Sequence, residues 1–112
     1  MEELVHFLFE AGHLKNVDRS GWWLFGNKNP ESVAEHSFRC TILGYILAKL
    51  ENVDASKVLM MCLFHDVHET RTNDLHKVVQ KYIDLEEAGD RATQDQLEPL
   101  NDPIGKEIAD AL

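Results

Sequence analysis

Cysteine is scarce in this chain: there are two in 112 residues. Cys40 and Cys62 do not form a C-x-x-C pair, and both fall in helix-patterned stretches. A disulfide framework is therefore not expected, and a reduced, cytoplasmic setting is. Basic side chains are also few, 11 against 20 acidic, for a net charge of −9. A chain that binds long nucleic acids through their phosphates needs a basic face, so that class is set aside. A small phosphorylated ligand remains open, since it needs only a local positive patch. Long hydrophobic runs are missing, and Met1 is followed by Glu2-Glu3 with no basic leader. Neither a signal peptide nor a membrane span is expected. There is no internal repeat, low-complexity tract or second domain.

What is present is ordinary globular material, 44% hydrophobic and 28% charged, of a length that suits one small domain over residues 1–112. The periodicity is helical throughout. Residues 2–16 read as one helix, with His6 and His13 on its surface. Residues 17–29 break the pattern with two glycines around Trp22, Trp23 and Phe25, which marks a structured loop. Those aromatics either pack under the loop or face a ring-shaped ligand. Arg19, in the same loop, carries a fork that matches phosphate or carboxylate oxygens. Asn29-Pro30-Glu31 reads as a helix start. That helix runs to about Glu51, with Cys40, Leu43, Ile46, Leu47 and Leu50 as its inward stripe. One turn before Cys40, the same face holds His36. Taken alone, an inward histidine is just as well a core residue bonded to backbone.

Asp54 caps the next helix, predicted from Ala55 to about Thr70. It is apolar on most sides and is expected to be central. Near its end stands Leu63-Phe64-His65-Asp66-Val67-His68-Glu69. A buried His-Asp pair needs a partner, because burying these groups unpaired is costly. His36, His65 and Asp66 together suit a divalent transition metal such as Mn, Co, Zn, Fe or Ni. Three protein ligands leave room for water and substrate, and Glu69 lies close enough to exchange a proton. His68 reads as an exposed neighbour. Asp74 is expected to cap a helix from Leu75. Residues 84–96 read as an exposed helix or mobile loop weakened by Gly89. Asp102 is the expected cap of a last helix, with Ile104, Ile108 and Leu112 inward. Its apolar pattern is still running at Leu112, so further C-terminal helices or a partner surface are expected.

Glu35-His36 followed by His65-Asp66 resembles the HD superfamily of metal-dependent phosphohydrolases. Asn-Pro-Glu-Ser-Val-Ala-Glu-His at 29–36 and Leu-Phe-His-Asp-Val-His-Glu-Thr at 63–70 narrow the resemblance to its 5′-deoxynucleotidase group. The resemblance implies an all-α HD-domain bundle, usually a homodimer, that releases phosphate from deoxynucleoside 5′-monophosphates. It implies His36, His65 and Asp66 as metal ligands, Glu69 and Asp74 as catalytic carboxylates, and Arg19 on the phosphate. Trp22 is the counterpart of a sugar-selecting tryptophan, displaced here by Ser20-Gly21. A fourth ligand, a late aspartate, is expected past Leu112; Asp102 and Asp110 come too early. The alternatives are another HD-type hydrolysis, of a triphosphate or signalling nucleotide, and a non-catalytic metal-binding helical module.

Overall fold

The computed structural model describes residues 1–100 and 103–112. Six α-helices are seen among them: α1 (Glu2–Gly12), α2 (Val33–Leu50), α3 (Ala55–Phe64), α4 (Glu69–Thr72), α5 (Leu85–Leu97) and α6 (Ile104–Ala111). Short 3-10 turns cover His13–Asn16, Ser20–Phe25 and Val79–Lys81. Among the described residues there is no strand, only isolated bridges between Asp18 and Ser32 and between Arg19 and Asp74. The all-α expectation holds. No described helix is long and apolar enough to cross a membrane.

Local signals explain most of the boundaries, and several differ from the sequence reading. α2 begins at Val33, not at Pro30. Ser32 accepts a hydrogen bond from the Glu35 amide while Glu35 accepts one from the Ser32 amide, a reciprocal capping box. Asp54 caps α3 as expected, accepting from the amides of Ser56 and Lys57. α3 stops at Phe64, so His65 to His68 form a turn and Glu69 starts α4. Among the described residues Asp74 caps no helix, and up to α5 the chain after it makes only the Val79–Lys81 turn. Residues 84–96 are neither loose nor solvated throughout. They form α5, capped by Asp84, with Gly89, Ala92, Gln96 and Leu97 buried. The expected Asp102 cap lies outside the described residues.

The inward face of α2 is not the predicted one. Leu43, Ile46, Leu47 and Leu50 are exposed, and the buried residues are Val33, Ser37, Gly44 and Ala48. Small side chains let α2 approach α3 closely. A Cβ on Gly44 would lie 2.6 Å from Cys62 Sγ and 3.1 Å from Val58 Cγ1. Nor is α3 fully enclosed: none of its residues is buried, and Met61 and Leu63 are exposed.

Two small cores hold the fold. Leu14, Val17, Val33 and Val67 form one; Leu97, Leu100 and Ile108 form the other. Phe7 and Phe64 pack against both. Phe64 immediately precedes His65, so both cores anchor the base of the His65–Asp66 turn. A polar clamp fixes its other side. The Gln96 amide, 5% exposed, donates to Glu10 Oε2 at 2.7 Å and to Thr70 Oγ1 at 2.9 Å. Arg71 grips the same Glu10 carboxylate through Nε and Nη2 at 2.8–3.2 Å. α1, α4 and α5 are thereby tied together around residues 67–71.

Candidate functional site

His36 leaves the second turn of α2, and His65 and Asp66 leave the end of α3, which packs along it. The tertiary structure brings the three together. His65 Nε2 lies 3.0 Å and His36 Nε2 3.6 Å from Asp66 Oδ2. The two imidazole rings meet edge to face, 6.0 Å apart. His65 Nδ1 is 2.8 Å from the Cys62 carbonyl. A carbonyl only accepts, so Nδ1 carries the hydrogen and Nε2 is left to face the site.

Arg19 reaches this site although its loop lies far away in sequence. The Arg19 amide donates to the Glu31 carbonyl and the Val33 amide to the Val17 carbonyl. On the other side, the Ser20 amide and hydroxyl donate to the Asp74 carbonyl. Residues 17–20 are thus stitched between the entry to α2 and the turn after α4. Arg19 Nε then lies 3.8 Å from Glu31 and 3.8 Å from Asp74. Arg39 takes the other Glu31 oxygen at 2.6 Å.

The electrostatics follow from crowding. Burial, and then the charge of Asp66 and Asp74, push Glu69 up to about 9. Burial also raises Asp74, against the pull of Arg19. Burial disfavours the charge on Asp66 as well, but His65, His36 and His68 together outweigh it and the net shift is downward. Asp66 in turn raises His65. Burial and Arg19 lower His36. Glu69 is therefore a neutral acid at pH 7 in the metal-free chain, and its buried Oε2 has no hydrogen-bond partner.

This chemistry fits a divalent cation. Two imidazoles and a carboxylate turn toward one point, Glu69 and Asp74 crowd beside it, and the protonation of Glu69 relieves a negative excess that a cation would relieve. Cys40 is the residue that sequence reasoning missed. Its sulfur, a nitrogen of His36 and a nitrogen of His65 all lie within 4.8 Å of one another. Its spacing, one helical turn after His36, was the available signal, but Cys40 read as part of an apolar stripe. His68 is not an exposed neighbour either: it is half-buried, with Nε2 3.0 Å from where a Gly89 Cβ would stand.

A cleft of about 450 Å³ opens from Arg19 and Asp74 and is lined by Trp22, Leu24, Phe25, His76 and Lys77. The loop aromatics are not packed beneath the loop. Trp22 is 47% exposed and Phe25 83%. His76 and Lys77 add basic groups that no sequence motif flagged. His6 and His13 are exposed and remote in role, as expected.

Comparison with known proteins adds three findings. The sequence model of a family described as HD domain matches residues 11–112. The 5′-deoxynucleotidase HDDC2 of Dictyostelium discoideum is 31% identical across 98% of this chain and 62% of its own length. The 5′-deoxynucleotidase YfbR of Shigella flexneri is 28% identical across 94% of this chain and 55% of its own. The chain thus spans somewhat over half the length of these curated relatives. Among solved structures, a conserved hypothetical protein from Pyrococcus furiosus superposes with a TM-score of 0.77 at 32% identity, covering 96% of this chain and 74% of that one. A predicted coding region from Archaeoglobus fulgidus gives a TM-score of 0.58 at 32% identity, covering 100% and 94%.

Proposed function

The chain belongs to the HD-domain family, and from that premise we propose that it is a metal-dependent phosphomonoesterase that hydrolyses (deoxy)nucleoside 5′-monophosphates to nucleoside and phosphate. The observation that carries this reading is the convergence of His36 and His65 on Asp66 beside the buried carboxyl of Glu69. The names of the two curated relatives supply the substrate class.

In this reading His36, His65 and Asp66 hold a divalent transition ion. Such an ion supplies Lewis acidity beside the phosphoryl group when bound. Arg19 binds the phosphate through the guanidinium that Asp74 and Glu31 orient. Water attacks phosphorus, the bond to the 5′-oxygen breaks, and that oxygen needs a proton as it leaves. Glu69, whose buried carboxyl stands beside Asp66, is placed to donate it. Asp74, also less acidic than an ordinary aspartate, takes the proton of the attacking water. Trp22 offers a half-exposed ring at the mouth of the cleft on which the sugar or base stacks. The assembly in this reading is a cytoplasmic homodimer. The apolar outer face of α2, with Phe38 at 70% exposed, supports a partner there.

The deciding experiment measures metal content together with phosphate release from a panel of ribo- and deoxynucleoside 5′-monophosphates, with a triphosphate as comparison. Metal-dependent release of inorganic phosphate from the monophosphates is the expected result. Pyrophosphate release from the triphosphate alone would replace this reading with another hydrolysis, and no release from any of them would leave a binding module.

A further inference from the structure

We propose that Cys40 is a thiolate ligand of the same ion, so that α2 contributes two donors, His36 and Cys40, and the end of α3 contributes His65 and Asp66, with a fifth position left to water or substrate. This rests on the metal reading above and deepens it. His36 and Cys40 are four residues apart on one helix, so their side chains lie one above the other on the same face. Cys40 Sγ and one nitrogen from each of His36 and His65 fall within 4.8 Å of one another. Bonds of about 2.0–2.3 Å in a tetrahedral zinc site put neighbouring donors roughly 3.3–3.8 Å apart. The cluster is therefore up to about 1–1.5 Å wider than a filled site, and side-chain rotations have to draw the donors together.

Cys62 serves as an internal contrast. Its thiol touches Cys40 but faces the α2–α3 contact, where it sits against Gly44. Cys40 is the sulfur that faces the imidazoles. On binding, its thiol gives up a proton and the sulfur forms one bond to the ion. A thiolate in the donor set turns the site toward zinc, cobalt or iron(II) and away from magnesium and manganese.

Cobalt(II) tests this directly, because a thiolate–cobalt bond produces a near-ultraviolet charge-transfer absorption that imidazole and carboxylate do not. The metal-free chain is titrated with cobalt(II) alone. The expected result is a band that saturates at one ion per chain, disappears in Cys40→Ser and persists in Cys62→Ser. Zinc affinity in Cys40→Ser should fall at least roughly tenfold. A second measurement needs no variant: bound zinc should protect Cys40 of the wild-type chain from alkylation. Stoichiometric cobalt without the band, or Cys40 alkylated equally with and without zinc, overturns the role of Cys40 and leaves the metal site standing. Failure to bind cobalt at all overturns the metal reading itself.

Discussion

Asp66 is the residue on which the site turns. It stands between the two imidazoles and is largely buried, so in the proposed reading its loss removes a ligand together with the charge that raises His65. Asp66→Ala should abolish both metal and phosphatase activity. Stoichiometric metal in that variant, by elemental analysis, would end the ligand assignment. Glu69 is different, because in this reading it touches the substrate and not the ion. Glu69→Ala should keep its metal and lose turnover by roughly 10²–10⁴-fold. A kcat within error of wild type would remove Glu69 from the mechanism. The sequence showed both residues by type and spacing. It did not show the proton on Glu69, because that depends on burial and on Asp74, which arrives from another turn of the chain.

At the scale of elements, the α2–α3 contact depends on an absent side chain. A methyl group on Gly44 would collide with Cys62 Sγ at 2.6 Å and crowd Val58. Gly44→Ala should destabilise the fold by about 1–3 kcal/mol, as overpacking does, despite alanine's higher helix propensity. A thermal midpoint equal to or above wild type would show that α2 and α3 are less closely packed than described. The clamp between α1, α4 and α5 gives a pH prediction. Hydrogen bonds from Arg71, and to a lesser degree from Gln96, hold Glu10 below its ordinary 4.5. A carboxylate with a lowered folded pKa stabilises fully above its unfolded value, and that contribution fades as pH falls through the folded one. Wild type should therefore lose stability below pH 4.5 faster than Glu10→Gln. Parallel denaturation curves between pH 7 and pH 3 would place Glu10 outside the clamp. At pH 7, Glu10→Ala should cost about 2 kcal/mol, since the buried Gln96 amide loses its charged acceptor.

At the scale of the molecule, the two cores are small and the body is flat, 42 × 37 × 24 Å with a radius of gyration of 14.9 Å. About 13 Å is usual for a compact domain of 100 residues. Phe64 carries much of the cohesion, because it packs against both cores and precedes the site. Phe64→Ala should cost about 3–5 kcal/mol and weaken metal binding with it. A variant that keeps wild-type stability would show that the cores do not depend on that ring. The exposed leucines and isoleucines of α2 also belong to this scale. Their periodicity reads as a core stripe, yet the structure leaves those side chains exposed, because the pattern marks an apolar helix face and not what covers it.

The sequence by itself determined what depends on near neighbours along the chain. The helical periodicity, the Asp54 cap and the donor types gathered at 65–69 were all legible, since a few residues decide each. The Ser32–Glu35 box is legible too, as a Ser-x-x-Glu start two residues after Pro30. Only the tertiary structure decided which face of α2 is inward, because hydrophobicity ranks side chains by size while close helix packing selected the small ones. It alone brought Arg19 against Asp74 and His65 against His36 and Cys40. Those contacts join segments far apart in the chain, and no local spacing encodes the backbone stitching and helix packing that close them.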